Sequence, residues 1–444
     1  MSRQDLPETP GQWHGRVWAL AWPTMIANVS VPLVGMVDTA VVGHLPDPIY
    51  IGAVAVGAVV FHFLQWGMSF LRMGTTGFTA QAFGARDTTE VNATAVRALI
   101  IALAAGLLVL VCKVPLVNFA MVAIDASAQV DGASREYLDI RLWSVPAAFA
   151  NLALLGVLFG LQRMRDALWV QLALNAINMV LDLYFVLVLD WGVEGVAWAS
   201  VIAEFAACAL ACAFVWRALR RIGGSWSGLA LTDRTRLHGL LRVNANIFVR
   251  TLAVQLTFFS FTALGARQGD VTLAANAVLL HLFTVLSSAL DGFAFAVEAL
   301  AGNAFGARNP RALRAIVLSA ARWSALCGVS FSAIYAVAGM QIVGLLTSVP
   351  AVIEECAQYL PWVTISPLLT VWSYLLDGVY FGTTRTREMR NSMLIAMTLF
   401  YVCAWLLTPE LGNHGLWLAV MVFVLVRAVL LAAWYPRIER AAGG

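Results

Sequence analysis

The residues of this 444-residue chain best placed to do chemistry are ionisable and amide side chains set inside long apolar stretches. Asp38 stands within Val34-Gly35-Met36-Val37-Asp38-Thr39-Ala40-Val41-Val42-Gly43. A carboxylate in hydrocarbon is costly, so it faces a bundle interior and usually works there. Asn175, Asn178 and Asp182 follow at i, i+3 and i+7, which places all three on one helix face. Asp38 lies about six residues, roughly 9 Å, from the end of its stretch, and Asp182 about eight residues from the end of its own. Ser200 enters the next stretch from that same side, and Asn151 and Tyr137 can add an amide and a hydroxyl to the layer. Two carboxylates with neutral oxygens suit a proton or a hard monovalent cation. Close carboxylates also raise one another's proton affinity. The bland alternatives are a network that only ties helices together, and an Asp38 that merely pairs with an arginine in packing.

The second half carries Arg250, His281, Asp291, Glu298, Asp377 and Arg427. Asp291 and Glu298 are seven apart and share a helix face, so they can attract a cation or pair with Arg250 or Arg427. Arg72 and Glu204 read as structural partners. Met36, Met68 and Met73 can line an adaptable pocket. Pro23 and Pro32 each remove a backbone hydrogen bond on one side of Asp38 and permit a bend, although such prolines also occur in helices that do not move.

Composition says which elements hold these residues. The chain is 61% hydrophobic and 12% charged, with a mean hydropathy of +0.80, whereas a soluble domain has about a quarter charged residues. Continuous apolar runs such as Ala98–Cys112, Val170–Leu181 and Leu416–Val426 lie in windows of about 20 residues, the length of a membrane-crossing helix. Barrel strands would alternate apolar and polar residues instead. Punctuation by Gly, Pro and charge predicts an all-α membrane protein with twelve spans. They fall near 16–44, 50–84, 89–112, 132–162, 165–189, 193–221, 237–267, 271–305, 310–340, 352–383, 387–409 and 413–436. Residues 1–15 are polar and lack the apolar core of a signal peptide. The six cysteines form no CxxC pair, which argues against a disulfide or zinc framework.

Arginines crowd alternate loops: Arg86, Arg163 with Arg165, Arg217 to Arg236, Arg308 to Arg314, Arg385 to Arg390, and Arg437 with Arg440. The opposite loops at Pro46–Tyr50, Asp190–Glu194, Gln341–Ala351 and Thr408–His414 contain no Lys or Arg. The positive-inside rule then places both termini in the cytoplasm. The two halves also repeat. Gln81-Ala82-Phe83-Gly84-Ala85-Arg86-Asp87 returns 222 residues later as Asn303-Ala304-Phe305-Gly306-Ala307-Arg308-Asn309. At that offset Gly156 meets Gly378, Gly160 meets Gly382, Tyr137 meets Tyr359 and Arg163 meets Arg385. Six helices per copy imply two parallel, pseudo-symmetric six-helix bundles. The expected division is a cytoplasmic segment 1–15, an N-lobe 16–221, a linker 222–236 and a C-lobe 237–438. Asp38 maps to Ser260 and Asp182 to Ala404, so the carboxylate pair belongs to the first half alone.

Enzyme motifs are absent. The single lysine, Lys113, does not stand in a Walker A loop, and neither HExxH nor GxSxG occurs. Pumping by this chain must therefore draw on an ion gradient.

Val37-Asp38-Thr39, the repeated Ala-Phe-Gly-Ala-Arg and Asn178-Met179-Val180-Leu181-Asp182 resemble the multidrug and toxic compound extrusion (MATE) family. Leu290-Asp291-Gly292-Phe293-Ala294-Phe295-Ala296-Val297-Glu298 and Glu388-Met389-Arg390-Asn391-Ser392-Met393 resemble its DNA-damage-inducible F (DinF) branch. The resemblance covers essentially the whole chain. It implies a secondary antiporter of the bacterial inner membrane, exporting cationic or amphipathic compounds in exchange for protons, or for sodium. It implies no cofactor and no nucleic-acid partner, and the chain is expected to act as a monomer in the bilayer.

Carried over by residue, the family's first-helix carboxylate falls on Asp38, its fifth-helix pair on Asn178 and Asp182, and its sixth-helix hydroxyl on Ser200. Its fourth-helix amide falls on Asn151, its tyrosine on Tyr137 and its bend point on Pro23. Sodium, if used, would sit at Asp38, Asn178 and Asp182. Ser200 stands where some members have threonine, which keeps the hydroxyl. A lipid-linked precursor flippase of the same superfamily is the rival reading; it favours a cationic cavity and extra helices. A channel is a third class.

Overall fold

The computed structural model describes residues 10–42, 49–125, 127–225 and 233–443, with side chains for 11–28, 49–125, 127–225 and 233–443. Every regular element among the described residues is helical, so the all-α membrane architecture read from composition is the one adopted. Among the described residues ten helices are long and apolar enough to cross a bilayer. In chain order the second to ninth are Ile49–Gly84, Thr88–Val111, Ala128–Gly160, Met164–Val188, Gly192–Ile222, Arg234–Ala266, Asp270–Gly306 and Pro310–Leu346, and the eleventh and twelfth are Thr386–Leu411 and Asn413–Ala442. The first, Pro10–Val42, and the tenth, Pro350–Gly382, are each 33 residues long. A short apolar helix, Lys113–Ile124, joins the third to the fourth.

The first helix is already formed at Pro10, within the polar residues 1–15. The helix then runs unbroken through Pro23 and Pro32 to Val42.

The chain forms two compact units, one of Met1–Met25 with Arg242–Gly444 and one of Ile26–Leu241. The first helix thus changes unit two residues beyond Pro23. Within the former unit Thr24 Oγ1 donates to the Gly292 carbonyl at 3.4 Å. Trp18 lies 6.1 Å from the Phe293 ring and 5.1 Å from that of Trp323.

The internal repeat is a repeat of contacts, not only of letters. A Cβ on Gly156 would lie 2.6 Å from the Arg72 carbonyl oxygen, and one on Gly378 would lie 2.4 Å from that of Ala294, the residue equivalent to Arg72. Likewise Gly160 faces the Thr76 carbonyl, and Gly382 faces that of the equivalent Glu298. Absent side chains let the fourth helix touch the second, and the tenth the eighth, backbone to backbone. The turns match too. Arg86 and Arg308 have φ of 60° and 51°, and Gln162 and Thr384 have φ of 59° and 54°. Non-glycine residues seldom adopt such angles, so their recurrence marks one turn design used twice. Asp87 accepts from the Glu90 amide at 2.9 Å, and Asn309 from the Ala312 amide at 3.0 Å, each capping the helix that follows.

Each unit has its own core. Leu71, Leu138, Leu142, Phe149 and Val196 pack inside the unit of Ile26–Leu241. Phe261, Trp417, Phe400 and Phe423 pack inside the other. Large apolar side chains such as Val111, Phe119, Leu345 and Trp405 are exposed, as expected of surfaces solvated by lipid rather than water.

Candidate functional site

The fifth and sixth helices build the polar layer of the unit Ile26–Leu241. Asn175, Asn178 and Asp182 are all buried on the fifth, Asp182 completely. Directly after Asp182 the helix widens into a π-helical turn over Tyr184–Val188, a distortion that often marks functional positions. Asn178 Nδ2 donates to Ser200 Oγ of the sixth helix at 3.2 Å, which joins two of the residues that the sequence placed in one layer. Asn175 Oδ1 accepts from Gln171 Nε2 at 3.1 Å along the same helix. Asp38 lies on the first helix, and its side chain is outside the described residues.

Asn151 is buried on the fourth helix and turns to a different partner. Its Nδ2 donates to Glu204 Oε2 at 2.9 Å and to the Glu204 carbonyl at 3.1 Å. Glu204 stands one helical turn beyond Ser200 and is 4% exposed. Arg141 of the fourth helix lies 3.8 Å from Glu204 Oε1, donates to Ser144 Oγ and stacks 3.5 Å from the centroid of Phe61. Tyr137 is buried one turn before Arg141, its ring pressed on Gly57, where a Cβ would come within 2.2 Å. The sequence named Asn151 and Glu204 but not their bond. An asparagine and a glutamate in separate apolar helices are the only signal of it, and their register cannot be counted along the chain.

In the other unit Asp377 is the hub. Its Oδ2 accepts from Arg427 at 2.7 Å and from Arg250, so both arginines proposed as partners for Asp291 and Glu298 converge on this carboxylate of the tenth helix. Phe381 and Phe423 cover the two guanidinium groups at 5.2 and 5.4 Å. Glu298 is buried and Asp291 half-buried on the eighth helix. Pro23 is buried in the first helix. A shallow cleft of this unit is lined by Thr262, Asn276, His281 and Thr284 and includes none of these carboxylates.

A family model described as MatE matches residues 23–184 and again 247–406. The chain belongs to the MATE family. The second match starts 224 and ends 222 residues after the first, in step with the internal repeat. Over 421 residues the chain is 43% identical to the DNA damage-inducible protein F of Escherichia coli K12, covering 95% of this chain and 92% of that one. It is 25% identical to a probable multidrug resistance protein NorM of Rhodopseudomonas palustris, over 95% and 91% of the two chains. Among solved structures it resembles a MATE protein in the bent conformation, with a TM-score of 0.87 and 20% identity over 98% of this chain and 99% of that one. A transporter of the MOP superfamily from Pyrococcus furiosus, described as having a binding pocket of reversed polarity, matches with a TM-score of 0.87 at 19% identity over 97% of each chain. These two likenesses speak for the fold. Family membership makes this MATE chain a transporter of the multidrug class.

Proposed function

We propose that this chain is a secondary antiporter of the bacterial inner membrane, exporting cationic or amphipathic compounds in exchange for protons, with sodium the alternative ion. The first and tenth helices complete twelve crossings, grouped as an N-lobe 16–221 and a C-lobe 237–438 joined by the linker 222–236, with both termini cytoplasmic. The protein works as a monomer. The observation that carries the reading is the buried bond between Asn178 and Ser200 beside a fully buried Asp182, in the half that alone holds the pair Asp38 and Asp182. Ionisable side chains inside a membrane-spanning segment commonly mark an ion or proton path. With the site open outward, a proton binds at Asp38 and Asp182 and substrate leaves. The lobes then rock, the proton is released inside, and new substrate enters.

The test is the full chain in liposomes under an imposed pH or sodium gradient, with a cationic dye as substrate. Asp38→Asn and Asp182→Asn are expected to abolish gradient-driven efflux, and efflux that persists in both would sink the coupling assignment. A sodium jump that drives efflux at fixed pH would replace the proton by sodium.

A further inference from the structure

Glu204 is a buried carboxylate to which that reading gives no task. It stands about 18 Å from the Gly192 end of the sixth helix at 1.5 Å per residue, near the middle of a hydrocarbon core about 30 Å thick. Its surroundings suit two protonation states. Arg141, at 3.8 Å, is beyond the roughly 2.7–2.9 Å of a charge-assisted hydrogen bond, whereas Arg427 holds Asp377 at 2.7 Å. Arg141 also donates to Ser144 Oγ and stacks on the face of Phe61, neither of which involves Glu204.

Asn151 supplies the second observation. Its Nδ2 donates to Glu204, yet its Oδ1 is buried and has no hydrogen-bond partner among the described residues. A charged carboxylate only accepts, so it cannot satisfy that oxygen. The neutral acid carries an O–H. It can donate to Asn151 Oδ1 while its other oxygen goes on accepting from Nδ2, the paired arrangement of a carboxylic acid with an amide. The atom left bare is therefore the one that protonation of the carboxylate would satisfy, and a bare buried acceptor is costly.

We infer that Glu204 is a proton-binding carboxylate of this transporter, charged against Arg141 in one state and neutral, closed onto Asn151, in the other. The inference rests on the antiporter reading and adds a proton site to it. The proton comes from the outer water, turns the carboxylate into the acid, and leaves to the cytoplasm in the opposite state; no other bond changes. Ser200 and Glu204 lie at i and i+4 on one helix face, so the state of Glu204 bears on the helix that holds the Asn178–Ser200 bond. The titratable groups on elements packed around it include Arg141 and Tyr137 of the fourth helix, His62 and Arg72 of the second, Asp182 of the fifth and Cys208 and Cys212 of its own. On the third, Arg97 is closed on Glu90 at 2.7 Å.

Glu204→Gln tests this in a form expected to fold, because a glutamine amide reproduces both bonds of the neutral acid to Asn151. In liposomes loaded with a pH-sensitive dye, the variant is expected to export a cationic dye with one proton fewer per molecule and a flatter dependence on pH. An unchanged proton-to-dye ratio and pH profile would overturn the inference. A second measurement uses the wild-type chain: a hydrophobic carbodiimide, which attacks protonated carboxyls in apolar surroundings, should label Glu204 increasingly as pH falls, read by mass spectrometry. Absence of label at acidic pH overturns the inference equally. If wild-type protein fails to turn a pH gradient into efflux, the antiporter reading fails, and that is seen before any variant is made.

Discussion

Asp377→Asn is the sharpest test of the packing in the unit Met1–Met25 with Arg242–Gly444. Arg250 and Arg427 share the single oxygen Oδ2, and the side chains of Arg250, Asp377 and Arg427 are 13, 9 and 7% exposed. An opposite charge at about 4 Å contributes about 4 kcal/mol at an effective dielectric constant of 20, and Asp377 supplies that term to each guanidinium. Asparagine keeps one acceptor but loses the charge, which leaves two buried cations facing one another. Removing one partner of a buried pair costs about 3–5 kcal/mol. At roughly 2–4 °C per kcal/mol for a unit of about 200 residues, this lowers the melting temperature by about 6–20 °C. The assay is loss of the monodisperse gel-filtration peak of detergent-solubilised protein after heating. Arg427→Met should cost less, because Arg250 still neutralises Asp377, and adding it to Asp377→Asn should recover part of the loss. Asp377→Asn melting within about 2 °C of wild type would refute the hub as the seat of this stability.

The close helix approaches and the polar layer make further expectations. Gly382→Ala sets a Cβ 2.2 Å from the Glu298 carbonyl and 2.9 Å from the Gly302 nitrogen, both backbone, and should cost about 1–3 kcal/mol by overpacking. Gly344→Ala, with nothing within 4 Å, should instead gain about 0.5–1 kcal/mol from a stiffer helix; the same heating assay compares the two. Ser200→Ala removes the acceptor of the buried Asn178 amide, and should both destabilise by about 1–3 kcal/mol and impair gradient-driven efflux. Ser200→Thr keeps the hydroxyl and should retain efflux, as measured in the same liposomes.

Much of this protein was legible without coordinates because the bilayer imposes a local rule. A backbone in hydrocarbon must satisfy itself within each segment, so apolar runs of sufficient length are helices whatever lies beside them. Loop glycines and arginines then mark the ends. The offset of 222 residues needed only the chain written against itself, and the structure repeats it in the paired contacts of Gly156 and Gly378. The candidate layer was partly legible for a related reason. Asn175, Asn178 and Asp182 share a face by helical periodicity alone, and Ser200 lies across one short turn.

Which helix a buried charge meets is not a local property. Asp377 is separated from Arg250 by 127 positions and from Arg427 by 50, and the pairing follows from how the seventh, tenth and twelfth helices rotate in packing. The sequence named the two arginines and offered them to Asp291 and Glu298; tertiary structure gave both to Asp377. The same holds for Asn151 and Glu204, 53 positions apart. Periodicity says that each faces an interior. Only the packed unit says that they face each other, and that the amide oxygen of Asn151 has no hydrogen-bond partner among the described residues.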